Sequence, residues 1–187
     1  MSKSMILKKS TYHMNDSFVS LKLSRFLTNH LPTDQPIILL CIGTDRSTGD
    51  SLGPLVGSFL KESLIKNIHV FGTLDEPVHA KNLPETIQQV EETFHNPYII
   101  AVDAALGSIR KVKTMDIGLG SLQPGAAVKK KISSIGNLYI KGYVNVGGFL
   151  EYTVLQCTRL SDVMSMAQII TKAIQYADTR LSVNGID

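Results

Sequence analysis

The chain predicts a three-layer α/β/α sandwich on a mostly parallel sheet, and three observations carry that prediction. Strand-like apolar runs alternate with amphipathic helical segments along the whole length. Two of the runs, 37–42 (IILLCI) and 98–102 (YIIAV), carry no charge at all. Such runs with β-branched members belong to strands buried on both faces, as parallel strands are. Finally, 187 residues with 43% hydrophobic and 19% charged content make one ordinary domain that can bury a core without disulfides or structural metals.

Residues 1–14 read as a frayed or loosely docked tail and 15–187 as the single domain. Asn15, Asp16 and Ser17 offer caps for a helix over 18–31, in which Phe18, Leu21, Phe26 and Leu27 share one face, and Pro32 stops it. The strand 37–42 ends at Gly43, and a polar loop over 44–53 leads to Pro54, at the favoured first position of a helix reaching about residue 66. That helix turns Leu55, Phe59, Leu60 and Leu64 inward. A short strand over 68–71 follows, then a loop closed by Pro77, then a helix over 82–95 with Pro84 and Glu85 in its first turn.

The strand 98–102 delivers Asp103 at its tip, ahead of a tight small-residue stretch over 104–107. A strand over 112–118 leads into a long glycine-containing loop over 118–137, and loops of that length are usually functional or mobile. The next strand covers 138–148, with Gly142 as its weak point, and helices follow from about 149 and over 160–176.

Charge and cysteine usage narrow the function classes. The net charge is only +3 and the basic residues are scattered apart from Lys129, Lys130 and Lys131, which read as a solvated loop, so no nucleic-acid surface is expected. No stretch approaches the roughly 20 apolar residues of a membrane span, and the first residues lack an export signal. Cys41 and Cys157 read as reduced core thiols, which suggests a cytoplasmic compartment. Oligomeric state is left open, homo-oligomers included.

The chemistry rests on carboxylates. Asp50 and Asp103 follow different apolar strands whose ends open on the same edge of the sheet, so both can reach one crevice. Two carboxyl groups in contact share a proton, which suits one to take a proton from water while the other gives one away. Plain alternatives stand beside this: Asp50 as a helix cap, Asp45 as an Asx-turn residue, and Asp103 as a hydrogen-bonding strand terminator.

GTDRSTGDSLGPLVG, with its Asp50-Ser51-Leu52-Gly53-Pro54 turn, resembles the active-site loop of the spore germination proteases, aspartic endopeptidases that degrade small acid-soluble proteins. A similar strand, loop and acidic turn occurs in the hydrogenase maturation endopeptidases. AVDAALGS over 101–108 resembles the germination-protease segment that bears the second catalytic aspartate. In size and order the chain is also similar to a group of short sporulation proteins of endospore formers. The resemblance covers about 37–149. It implies the maturation-protease-like fold, Asp50 and Asp103 as the catalytic pair, a protein or peptide substrate, no required cofactor, and a mother-cell, forespore or spore-core location.

The sequence departs from that pattern at two places. Thr44 stands where the family loop has Asn, and Gln123 stands where the matching segment has His before its Pro-Gly. Glutamine does not titrate and ligates metals poorly, which weakens a three-ligand metal site. A divalent ion held by Asp50, Glu76, His79 and Asp103 remains the alternative, although the plain reading of His79 is a surface-loop histidine. Thr44, Asp45 and Gln123 are expected to support the site or touch substrate. Two functions are therefore carried forward: an aspartate-pair endopeptidase, and a non-proteolytic relative that binds a metal ion or peptide tail in the same crevice. The layered fold also hosts nucleoside phosphorylases, for which Arg46 beside Ser47 and Thr48 gives a phosphate-binding foothold, and peptidyl-tRNA hydrolases, whose catalytic His and basic flank are not evident here.

Overall fold

The computed structural model describes residues 9–124 and 134–184. Residues 125–133 of the long loop, with Gly125 and the Lys129 to Lys131 run, lie outside the described residues. In chain order the elements are β1 (Lys9–His13), α1 (Val19–Thr28), β2 (Ile37–Cys41), α2 (Leu52–Lys61), β3 (Ile68–Phe71), α3 (Leu83–Thr93), β4 (Tyr98–Gly107), β5 (Thr114–Leu119), β6 (Leu138–Val146), α4 (Glu151–Gln156) and α5 (Leu160–Asn184). They form one six-stranded sheet in the order β1-β5-β6-β4-β2-β3. The four strands β6, β4, β2 and β3 are mutually parallel, and β5 runs against both β6 and β1. The expected α/β architecture is present.

The sheet separates two cores. The larger lies under α1, α2 and α5, where Leu23, Leu27, Leu52, Val56, Leu60, Val163, Met166 and Ile170 meet Leu39, Cys41, Ile100, Val102, Ile117 and Ile140. The smaller lies under α3, where Leu83 meets Leu40, Ile42, Val78 and Ala101. Alternation along each strand accounts for the division: Leu39 and Cys41 point to one face, Leu40 and Ile42 to the other. Among the described residues, no helix is long and apolar enough to cross a membrane.

Several local expectations are corrected. Residues 9–13, placed in a loose tail, form the edge strand β1, paired with β5 from Lys9↔Gly118 to His13↔Thr114. Asp16 does not cap α1; its carboxylate accepts the His13 N–H at 2.9 Å and closes the turn after β1. The N-cap of α1 is Phe18 in a left-handed conformation, and the helix buries Val19, Leu23 and Leu27 while Phe18 and Leu21 face solvent. Helix α2 ends at Lys61 rather than near 66, which leaves Leu64 exposed. β4 runs on to Gly107, so 104–107 is strand and not a turn. β6 passes through Gly142 unbroken, because the missing side chain makes room for Leu52. Cys41 is buried, whereas Cys157 is exposed.

Candidate active site

The site begins where β2 stops. From β2 the chain crosses to β3 on one side, and from β3 it returns through α3 to β4 on the other side. The chain leaves the carboxyl end of β2 toward β3 on one side and leaves the carboxyl end of the parallel β4 toward β5 and β6 on the other, so the two connections part company and a crevice opens between those strand ends. Asp103 lies in β4, and Asp50 lies in the loop that leaves β2.

Asp50 sits in a single 3-10 turn, Gly49–Ser51, that leads into α2. The loop folds back on the strand end: the Thr44 N–H donates to the Asp50 carbonyl at 3.1 Å. Gly43 is required there, since a Cβ would collide with that carbonyl, and one on Gly53 would collide with the carbonyl of Ile42. The Gly43 and Gly53 of the motif therefore serve close backbone approach, and they fix where residue 50 stands. Gly49 meets the other flank of the turn, against Leu155 and Thr158 at the end of α4.

The Asp50 side chain does not cap a helix. The N-cap positions of the turn and of α2 are Thr48 and Ser51, and neither carries a side-chain cap hydrogen bond. The half-buried Asp50 carboxyl is instead pushed above its ordinary range by loss of water.

Asp103 is not at a strand tip. It is the sixth of ten residues in β4, only 6% exposed, and shares its face with Ala101. The paired register of β2 ends at Cys41↔Val102, so β4 reaches Asp103 just as its β2 neighbour turns away into the loop. On the other side Asp103 pairs in register with Lys141 of β6, and Lys141 pairs in turn with Asp116 of β5. The 3-10 turn bearing Asp50 packs against β4. The two aspartates are thus brought to one end of the same strand pair.

Residues Asp116, Lys141 and Thr11 were not singled out from the sequence. Asp116 is buried and held by Lys9 at 2.7 Å, Lys111 at 3.1 Å, the Thr11 hydroxyl at 2.6 Å and the Tyr143 hydroxyl at 3.0 Å. Burial alone would raise this carboxyl, but the four donors overcome that and hold it at about 2. Only strand register reveals the row Asp103, Lys141, Asp116, Thr11, and no spacing in the sequence encodes it.

The remaining nominated residues stand elsewhere. Thr44 lies in the loop, its hydroxyl accepting the Arg46 N–H at 3.3 Å and donating to Asp45 at 3.4 Å; Asp45 and Arg46 are exposed. Ser47, beside them, has a buried hydroxyl with no hydrogen-bond partner among the described residues. Gln123 is exposed, just after the bridge between Leu122 and Ile135. Glu76 and His79 line a separate groove beside β3. Glu76 is exposed and 3.7 Å from Lys61, and the His79 N–H donates to the Asn82 side chain at 2.8 Å. Among the described residues, no group of three or more His, Cys, Asp or Glu side chains is placed to hold a metal ion. The four-residue donor set therefore does not fit a bound cation.

A doubly wound α/β domain with a carboxylate-bearing crevice at its switch point defines the class. The chain belongs to the DUF1256 family, described as a protein of unknown function, whose model matches residues 11–173. It is 51% identical over 144 residues to the uncharacterized protein YyaC of Bacillus subtilis (strain 168), spanning 77% of this chain and 70% of that one. Two solved structures also align with it. One is a [NiFe] hydrogenase maturation protease, HycI, from Thermococcus kodakarensis, at TM-score 0.48 and 15% identity over 80% of this chain and 99% of that one. The other is a hydrogenase 3 maturation protease, at TM-score 0.40 and 15% identity over 73% and 90%.

Proposed function

We propose that the chain is an endopeptidase of the germination-protease type, in which Asp50 and Asp103 share a proton around one water and cleave a peptide bond in a spore or forespore protein. The observation that carries this reading is the state of Asp50: a half-buried carboxyl, raised by burial and unused as a cap, on a turn packed against the strand that holds Asp103. The likeness of the Asp-x-Leu-Gly-Pro turn and of AVDAALGS to the germination-protease segments supports the same pair.

In this reading Asp50, protonated, donates to the carbonyl oxygen of the scissile bond while Asp103 takes a proton from the water that attacks the carbonyl carbon. The C–N bond then breaks as the tetrahedral species collapses, with a proton passed to the leaving amine. General acid/base help of this kind is worth about 10²- to 10⁴-fold per group. Incubation with unfolded spore-extract protein, followed by mass-spectrometric mapping of new N-termini, is the test. Wild type is expected to generate discrete new termini, and Asp50→Asn and Asp103→Asn, still folded by circular dichroism, to lose them about 10³-fold. Equal cleavage by wild type and both variants, or none by wild type, overturns the reading.

A second reading, a relative that holds a peptide tail in the same crevice without cutting, is favoured by the exposed Gln123 in place of a histidine. The same incubation separates them: a peptide that wild type retains and leaves uncut favours this second reading.

A further inference from the structure

The strand order ends at β3, and β2 is the strand that pairs with it, so its outer edge carries no strand among the described residues. That edge is the floor of a groove of about 520 Å³. Val70 and Phe71 of β3 lie along the floor, Lys61 at the end of α2 forms one wall, and Thr86 and Gln89 of α3 form the other. His79 closes one end, and its Nδ1 atom is buried with no hydrogen-bond partner among the described residues.

We propose that this groove binds an extended, uncharged peptide segment by strand addition to β3. Main-chain groups on an open strand edge call for another main chain, because an extended backbone is the ligand that matches their spacing of donors and acceptors. The sequence of β3, IHVF, carries no formal charge to repel an added strand, in contrast to the opposite edge β1, where Lys9 is engaged with Asp116. The charges lining the groove are Lys61 and Glu76, which lie 3.7 Å apart and offset each other, so the charge-matched occupant is neutral. The hydroxyl of Thr86 and the amide of Gln89 on the α3 wall offer hydrogen bonds to a polar segment rather than an oily cavity.

The groove also leads to the crevice. The Gly43 N–H donates to the Val78 carbonyl at 2.8 Å, and Ile42 bridges to Val78, so the end of the groove is bonded to the start of the loop that carries Asp50. A peptide lying along β3 is thereby directed toward the carboxyl edge of β2. The proposal rests on the endopeptidase reading only in taking that peptide to be the substrate.

The test uses the full chain as Asp50→Asn, so that nothing is cut during selection. A displayed library of random ten-residue peptides is selected on it, and the recovered peptide is resynthesised with capped ends as the probe. Expected results are slowed amide exchange at residues 70–73 on binding, at least tenfold weaker affinity for Gln89→Trp, and at least tenfold loss on N-methylating alternate residues of the probe. Gln89 is exposed on the α3 wall and lies outside β3, so the tryptophan adds bulk to the groove without altering the strand's own residues, and an unchanged melting temperature certifies the fold. Protection elsewhere, equal binding by Gln89→Trp, tolerance of every N-methyl group, recovery of no peptide, or protection of 70–73 by self-association of the chain alone overturns the proposal. Adding the same peptide to wild type reports separately on catalysis: a peptide bound at β3 and left intact counts against the endopeptidase and leaves the groove standing.

Discussion

At Asp50 the conflict between burial and charge has a consequence for stability that can be measured without a substrate. Its folded-state carboxyl is raised above its unfolded value, so its contribution is fully present below the unfolded value, near pH 4, and is lost as pH rises through the folded one. At neutral pH the buried charge is therefore a cost. Asp50→Asn is expected to raise the unfolding free energy at pH 7 and to change it little at pH 3, as read by urea denaturation. A loss of stability at pH 7 would mean that the carboxylate holds the turn together instead. Asp103 stands out in the sequence as an acidic residue just after an apolar run, whereas Asp50, well past the end of β2, stands out through its polar loop and its Asp-Ser-Leu-Gly-Pro turn. Asp103 reads as a strand tip because its charge interrupts the apolar run after Val102, although apolar residues resume at Ala104 and the backbone pairing continues to Gly107.

Among the elements, β1 shows most clearly what a local reading misses. KSTYH has neither the apolar run nor the length that marks a strand, and the segment is held by its pairing with β5 and by the buried Asp116 beneath it. Asp116 is depressed to about 2 by its donors, so its stabilisation is present above its unfolded value, near pH 4, and is lost as pH falls through about 2. Asp116→Asn is expected to cost about 2 kcal/mol at pH 7 and little near pH 2, and to speed amide exchange in β1 before the rest of the sheet. An unchanged stability at pH 7 would remove this cluster as the anchor of the edge. Helix ends were misread for a related reason. Asp16 had the right chemistry for a cap, but its carboxylate closes the preceding turn, and the burial of Val19, Leu23 and Leu27 sets where α1 begins.

For the whole molecule, the alternation of strands and helices predicts the layered α/β class, and the structure has it. Strand order is another matter. That β4 and not β3 lies between β2 and β6, and that Lys141 falls between Asp103 and Asp116, depends on long-range pairing that no local pattern specifies. The same order creates the crevice, because the chain leaves β2 toward β3 in one direction and leaves β4 toward β5 and β6 in the other. It also leaves β3 at the margin, with a groove beside it.

The central claim is that two carboxyl groups about fifty residues apart in the chain act on a single proton. Carbon-13 NMR titration of the Asp50 side-chain carboxyl, in wild type and in Asp103→Asn, tests it most directly. Removing a neighbouring charge must lower the pH at which Asp50 releases its proton, so the account predicts a midpoint above the ordinary aspartate range in wild type and a clear downward move in the variant. An Asp50 midpoint that stays the same in both proteins would contradict it.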